Sequence, residues 1–140
     1  VTLIGLNWPA IAVGFLACFV IGFVWFSPRG FFPIWWAAIG KAGQTPGDNG
    51  NPALAFGGTF VGIFLQVLTL AVILNTLQQT QVLSVLDGAW IGFCVGGGIA
   101  AMASLSHRLF AGHGLLVWAL ESGNDVLNLT VAGAIYAAMS

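Results

Sequence analysis

Few residues in this chain have chemistry to offer, and four of them stand together. Glu121, Asn124, Asp125 and Asn128 recur at i, i+3, i+4 and i+7, so a helix would carry two acids and two amides on one face. Such a face can hold or pass a proton, ligate a cation, or hydrogen-bond a neighbouring helix. Gln66, with Thr59 and Thr69 on roughly the same side of its own segment, is the candidate opposing group. His107 and His113 precede the acidic segment, where a proton could enter or leave. No Lys or Arg falls inside an apolar stretch, so the acids are expected to lack a cation, and at least one to be protonated at neutral pH.

Signatures of catalysis are missing. The chain has no nucleophile elbow, no HExxH and no Walker loop, and Gly96-Gly97-Gly98 lacks the strand before it and the Lys after it that a phosphate cradle needs. His107 and His113 are six apart, off the spacing of one helical face. Cys18 and Cys94 sit in apolar runs with no CxxC pattern. No catalytic residue, metal site or cofactor is assigned, and the chain is not expected to be an enzyme.

Composition says which solvent surrounds this stripe. Charged residues make up 5% of the 140 and apolar residues 59%, with a mean hydropathy of +0.98. A typical soluble domain is roughly one quarter charged. Three Lys and Arg against four Asp and Glu also exclude an electrostatic nucleic-acid binder, which needs a basic stripe. Water is excluded as the main solvent, and the lipid bilayer is the first expected partner.

Four apolar stretches, about Pro9–Phe26, Ala53–Leu77, Ser84–Leu105 and Leu115–Met139, each reach the ~20 residues that a membrane-crossing helix needs. The expected fold is one all-α domain over residues 1–140, an integral membrane bundle of four transmembrane helices. The first run has no basic flank and no clear cleavage site, and is read as a retained span. The short link from Gln78 to Leu83 makes spans two and three an antiparallel hairpin. Arg29 and Lys41 lie in the first loop and Arg108 in the third, so the positive-inside rule puts both loops in the cytoplasm and both termini outside an inner membrane.

Between the first two spans, Ser27 to Trp36 is too aromatic for water and too broken by Pro and Gly for a span. A short interfacial helix is expected after Pro33, ending at Gly40, with a solvated loop from Ala42 to Pro52. Span three carries Gly88, Gly92, Gly96, Ala100 and Ser104 at strict four-residue spacing, and span one carries Ala10, Gly14, Cys18 and Gly22. Each is a bare helical face suited to close packing in lipid, within one chain or in a homo-oligomer. The glycine triplet is a place for local helix distortion. Ser84-Val85-Leu86-Asp87 reads as a capping box at the start of span three.

Gly22-x-x-Trp25-Phe26-Ser27-Pro28, then Phe32, Trp35 or Trp36, and Gly40, resembles the opening signature of the bacterial membrane family catalogued as domain of unknown function 1761. Leu6-Asn7-Trp8 and Gly133-Ala134-Ile135 are similar to it as well. The resemblance implies a four-span helical membrane protein with an unbroken last helix, and implies no activity. Span four is more acidic here than the family pattern.

Counting 1.5 Å per residue from Leu115 places Glu121 roughly 9 Å and Asp125 roughly 15 Å into that span. Acids at such depth cost about 2.5–3.5 kcal/mol each if they face lipid. The stripe must therefore face protein or water. Three readings are open: glue between helices or subunits of a membrane assembly, a proton, cation or small-solute pathway in a homo-oligomer, or a polar turn at Glu121–Asp125 that interrupts the span.

Overall fold

The computed structural model describes residues 3–47 and 50–140. Part of the expected 42–52 loop, Asp48 and Asn49, lies outside them. All regular structure among the described residues is helical: α1 (Trp8–Trp25), α2 (Phe32–Ala38), α3 (Pro52–Gln78), α4 (Val85–Cys94), a π-helical stretch (Val95–Ala101), α5 (Met102–Phe110) and α6 (Gly114–Met139).

Local chemistry sets most helix ends. The Asn7 side chain accepts from Ala10 N at 3.0 Å and that of Asn51 from Leu54 N at 3.1 Å, each followed closely by a proline that suits the first turn. At Ser84 both arms of the capping box are formed: its hydroxyl takes the Asp87 amide, and the Asp87 carboxylate takes the Ser84 amide at 2.8 Å. Gly40, at φ +83, carries the chain out of α2 through a conformation that disfavours side chains.

The exterior is unusually apolar for a soluble domain, and the apolar core also takes in a few polar side chains. Large apolar side chains point outward, among them Phe23 at 80% exposure and Phe56 at 78%, while Asn75, Ser122, Asn124 and Asn128 are buried. Three helices are long and apolar enough to cross a membrane: Trp8–Trp25, Pro52–Gln78 and Val85–Phe110. The fourth expected span, α6, has 26 residues, but its polar stripe keeps it out of that set. It is instead the hub, packed against α1, α3, α4, the π stretch, α5 and α2. The two helices expected to pair as a hairpin, α3 and α4, touch only slightly, because α6 draws both toward itself.

Two boundaries move. The third helical rod runs to Phe110, a turn beyond the expected Leu105, since Arg108 finds a partner on α6. The polar-turn reading of Glu121–Asp125 is overturned, as α6 is unbroken through it. Turn propensity yields there to packing: Ser122 Oγ lies 3.3 Å from Ser104 Oγ, and the Trp25 ring lies on Gly123.

The small-residue faces do not chiefly meet each other; both lie on α6. A Cβ on Gly88 would strike the Gly133 carbonyl, one on Gly92 the Leu129 carbonyl, and one on Gly96 would come within 2.9 Å of Val126 Cα. On α1, Gly14 faces Val67 and Ala132. The strict four-residue spacing of the α4 face ends at Gly96. There the π stretch adds a residue to the turn, so Ala101 is buried where the regular spacing points to Ala100. The Ala101 carbonyl accepts from Trp118 Nε1 at 2.8 Å and Ser104 Oγ at 3.0 Å, which pins the distorted segment to α6.

Glycine positions on this rod therefore differ in what they tolerate. Gly92→Ala must push α4 off the α6 backbone and is expected to cost about 1–3 kcal/mol. Gly98→Ala, with nothing within 4 Å of its new methyl, is expected to leave stability unchanged or raise it slightly. Thermal unfolding in detergent compares the two.

Candidate functional site

The stripe on α6 divides into three environments. At the head of the helix, Glu121 is clamped: Arg108 Nε donates to Oε2 at 2.6 Å and Trp35 Nε1 to Oε1 at 2.9 Å. Arg108 Nη1 also reaches His113 Nδ1 at 3.1 Å. The Arg108 contact corrects the expectation that the acids have no cation. In sequence Arg108 stands in a loop, but α5 continues past it and turns it onto α6. His107 is exposed on the last turn of α5 and makes no side-chain hydrogen bond to the cluster among the described residues.

Midway along the stripe, Asn124 and Asn128 face α1. Asn128 is 1% exposed and Asn124 9%. Oδ1 of Asn124 and both Oδ1 and Nδ2 of Asn128 are buried with no hydrogen-bond partner among the described residues. Their neighbours are the small positions of α1. Cys18 Sγ, fully buried, donates to the Asn128 carbonyl at 3.4 Å, and a Cβ on Gly22 would meet only Asn124 Oδ1, at 3.9 Å. Trp25 closes the neighbouring flank, donating from Nε1 to the Leu120 carbonyl at 2.9 Å.

Asp125 is the third environment. It is half-buried and makes no hydrogen bond or ion pair among the described residues. Its backbone backs onto Gly96, at the start of the π stretch. The structure does not bring the proposed opposing groups to it. Gln66 is half-buried on α3 and bonds to none of the stripe, Thr69 is exposed, and Thr59 is exposed and bonded back to the Ala55 carbonyl. No group of three His, Cys, Asp or Glu able to hold a metal occurs among the described residues.

Sequence reasoning missed Arg108 and Trp35 as partners of Glu121, and Cys18 as a neighbour of Asn128. A signal for the first existed. The turn at Ala111–His113 is so short that the last turn of α5 must lie against the first turns of α6. Trp35 had none, because its contact spans 86 residues. Beside it, α2 and α3 enclose a cavity of about 590 Å³ walled by Phe26, Phe32, Trp35, Lys41, Phe56 and Thr59, with the Lys41 ammonium 4.9 Å above the Trp36 ring. Trp35 is thus shared between this cavity and the Glu121 clamp.

Large apolar side chains on the outside and three helices long and apolar enough to cross a bilayer define the class: a helical chain compatible with a membrane protein. It belongs to the family described as Protein of unknown function (DUF1761), which it matches over residues 9–137. No curated protein and no solved structure matches it.

The clamp makes a stability prediction. Arg108→Leu leaves the Glu121 carboxylate without its cation and is expected to cost about 1–2 kcal/mol, less than a fully buried pair because Arg108 is one-third exposed. Removing both partners, Arg108→Leu with Glu121→Leu, is expected to cost less than the sum of the single changes in a double-mutant cycle.

Proposed function

We propose that this chain is a multi-pass protein of the cytoplasmic (inner) membrane in which α6 is a fourth crossing, and that its acid–amide stripe serves as a helix contact in a membrane assembly. The role is accessory or structural, without catalysis. One observation carries this reading: the least apolar of the long helices is the one that all the others enclose. Oil forces that arrangement, since an exposed acid–amide face costs several kcal/mol in lipid. The clamp on Glu121 and the Ser104–Ser122 contact are the bonds such a contact would use. The partners of this reading are the bilayer and either further copies of the chain or a larger membrane complex.

A second reading, a pathway for protons, cations or a small solute, is favoured by the carboxylate of Asp125, which has no partner among the described residues, and by the unmet amides beside it. The two separate in proteoliposomes. A helix contact predicts no flux above protein-free vesicles at any pH, with Asp125→Asn and Glu121→Gln changing stability alone. A pathway predicts proton or cation flux that Asp125→Asn abolishes.

Orientation is tested independently. Reporters fused at either terminus are expected on the outer face, and a cysteine replacing Lys41 on the cytoplasmic face. A terminus found inside removes the proposed topology.

A further inference from the structure

The cavity of about 590 Å³ between α2 and the start of α3 has the size and the lining of a ligand site, aromatic walls with a few polar groups among them. Phe26, Phe32 and Trp35 wall one side, and Ala55, Phe56 and Thr59 present one face of α3 on the other. The indole N–H groups here are already committed, that of Trp35 to Glu121 and that of Trp36 to the Gln44 carbonyl at 3.0 Å. The rings therefore offer the cavity apolar surface.

Charge selects the sign of the ligand. Among the described residues, Lys41 is the one charged side chain that lines the cavity, and it has no carboxylate partner. The amino end of α3 opens on the same space, since Asn51 and Pro52 also wall it, and the helix dipole adds positive potential there. An aromatic cage can also hold a cation, but the seat over Trp36 is taken by Lys41 itself, 4.9 Å from the ring centroid. A second cation is repelled and an anion attracted.

Shape selects an amphiphile over a free anion. Beyond the cavity the α3 surface runs on apolar, with Phe56 and Phe60 exposed. About two turns on, a second recess of about 330 Å³ lies between α1 and α3, walled by Trp8, Ile11, Phe15, Phe60 and Phe64. Phe56, Phe60 and Phe64 stand one turn apart at i, i+4 and i+8, and the helical rise puts the first roughly 12 Å from the last. One leaflet of hydrocarbon is about 15 Å deep, half of the bilayer core. A head held at Lys41 leaves a tail of that length lying along the phenylalanine ridge.

We propose that this cavity and the ridge beyond it bind one anionic phospholipid, with its phosphodiester on Lys41 and the amino end of α3 and an acyl chain along Phe56, Phe60 and Phe64. The site rests on the reading of the chain as a membrane protein and adds a ligand to it. In the topology proposed above, Lys41 faces the cytoplasmic leaflet, whose anionic lipids such a site draws on. Because Trp35 belongs to both the cavity wall and the Glu121 clamp, the bound lipid also braces α2 against α6.

Native mass spectrometry of the full chain in non-ionic detergent tests this, with palmitoyl-oleoyl phosphatidylglycerol and phosphatidylcholine added in equal amounts. One phosphatidylglycerol is expected to be retained, preferred about fivefold, the scale of one lysine beside an anionic headgroup. Lys41→Gln is expected to remove the preference and Lys41→Arg to keep it. Arg29→Gln, which removes a nearby cation outside the cavity wall, is expected to change nothing. Ala55→Trp, which fills the recess from an exposed helix position, is expected to lower retention of both lipids at an unchanged lipid-free unfolding midpoint. Equal retention of the two lipids by the unaltered chain overturns the site, as does an equal loss for Lys41→Gln and Arg29→Gln, or undiminished binding in Ala55→Trp. Displacement of the lipid by millimolar inorganic phosphate means that the cavity takes a free anion, and overturns the lipid. A chain that stays monodisperse without detergent removes the membrane reading and the site with it, whereas lost headgroup selectivity in a detergent-dependent chain removes the site alone.

Discussion

An acid–amide face on a helix in an apolar surround has to be enclosed, and the other elements of this chain are arranged around that demand. α6 carries Glu121, Asn124, Asp125 and Asn128 within two turns, and it is the helix against which every other helix packs. The neighbours α3 and α4 barely touch, although a short link joins them. In a bilayer, which three of the helices are apolar and long enough to cross, hydrophobicity would not drive this association, because lipid tails are as apolar as leucine. Backbone approach and polar contact must supply it. The glycines of α4 provide the first, bringing its backbone against that of Leu129 and Gly133, and the clamp on Glu121 provides the second.

Enclosure is uneven along the stripe. At the head, each acceptor of Glu121 has a donor from a different element, Arg108 from α5 and Trp35 from α2. One carboxylate thereby ties α2 and the end of the third rod to the hub. One turn further in, partners run out and the amides of Asn124 and Asn128 stand unmet among the described residues. Beyond Asn128 the contact with α1 is tightly packed. Along the stripe the environment thus changes from bonded carboxylate to unmet amide atoms to close apolar packing.

The π stretch serves the same enclosure. Gly96 brings α4 onto the α6 backbone beside Asp125, and the added residue then rotates the helix C-terminal to it. That rotation buries Ala101 in place of Ala100 and offers its carbonyl to Trp118 and Ser104. Three consecutive glycines make the distortion easy, since they hold an α-helix weakly. The rod keeps contact with α6 on both sides of the shift, so Arg108 arrives opposite Glu121.

Much of this was legible beforehand because it depends on local periodicity and on the solvent. The helix capped by Ser84 and Asp87, the proline-led α2 ending at Gly40, the bare face of Gly88, Gly92 and Gly96, and the polar stripe itself all come from spacing and composition. Which surfaces would meet did not. Arg108 reads as a loop residue until the α5 helix carries it onto α6, and Gln66 reads as a partner although it bonds to none of the stripe. Ser122 to Asp125 read as turn chemistry until packing holds them helical. By itself the sequence determined that the chain is helical, suited to an apolar surround, and burdened with one polar face. Only the tertiary structure decided that this face splits into a clamped acid, two unmet amides and a carboxylate without a partner among the described residues. The reason is physical: groups distant in sequence come together only when whole helices pack.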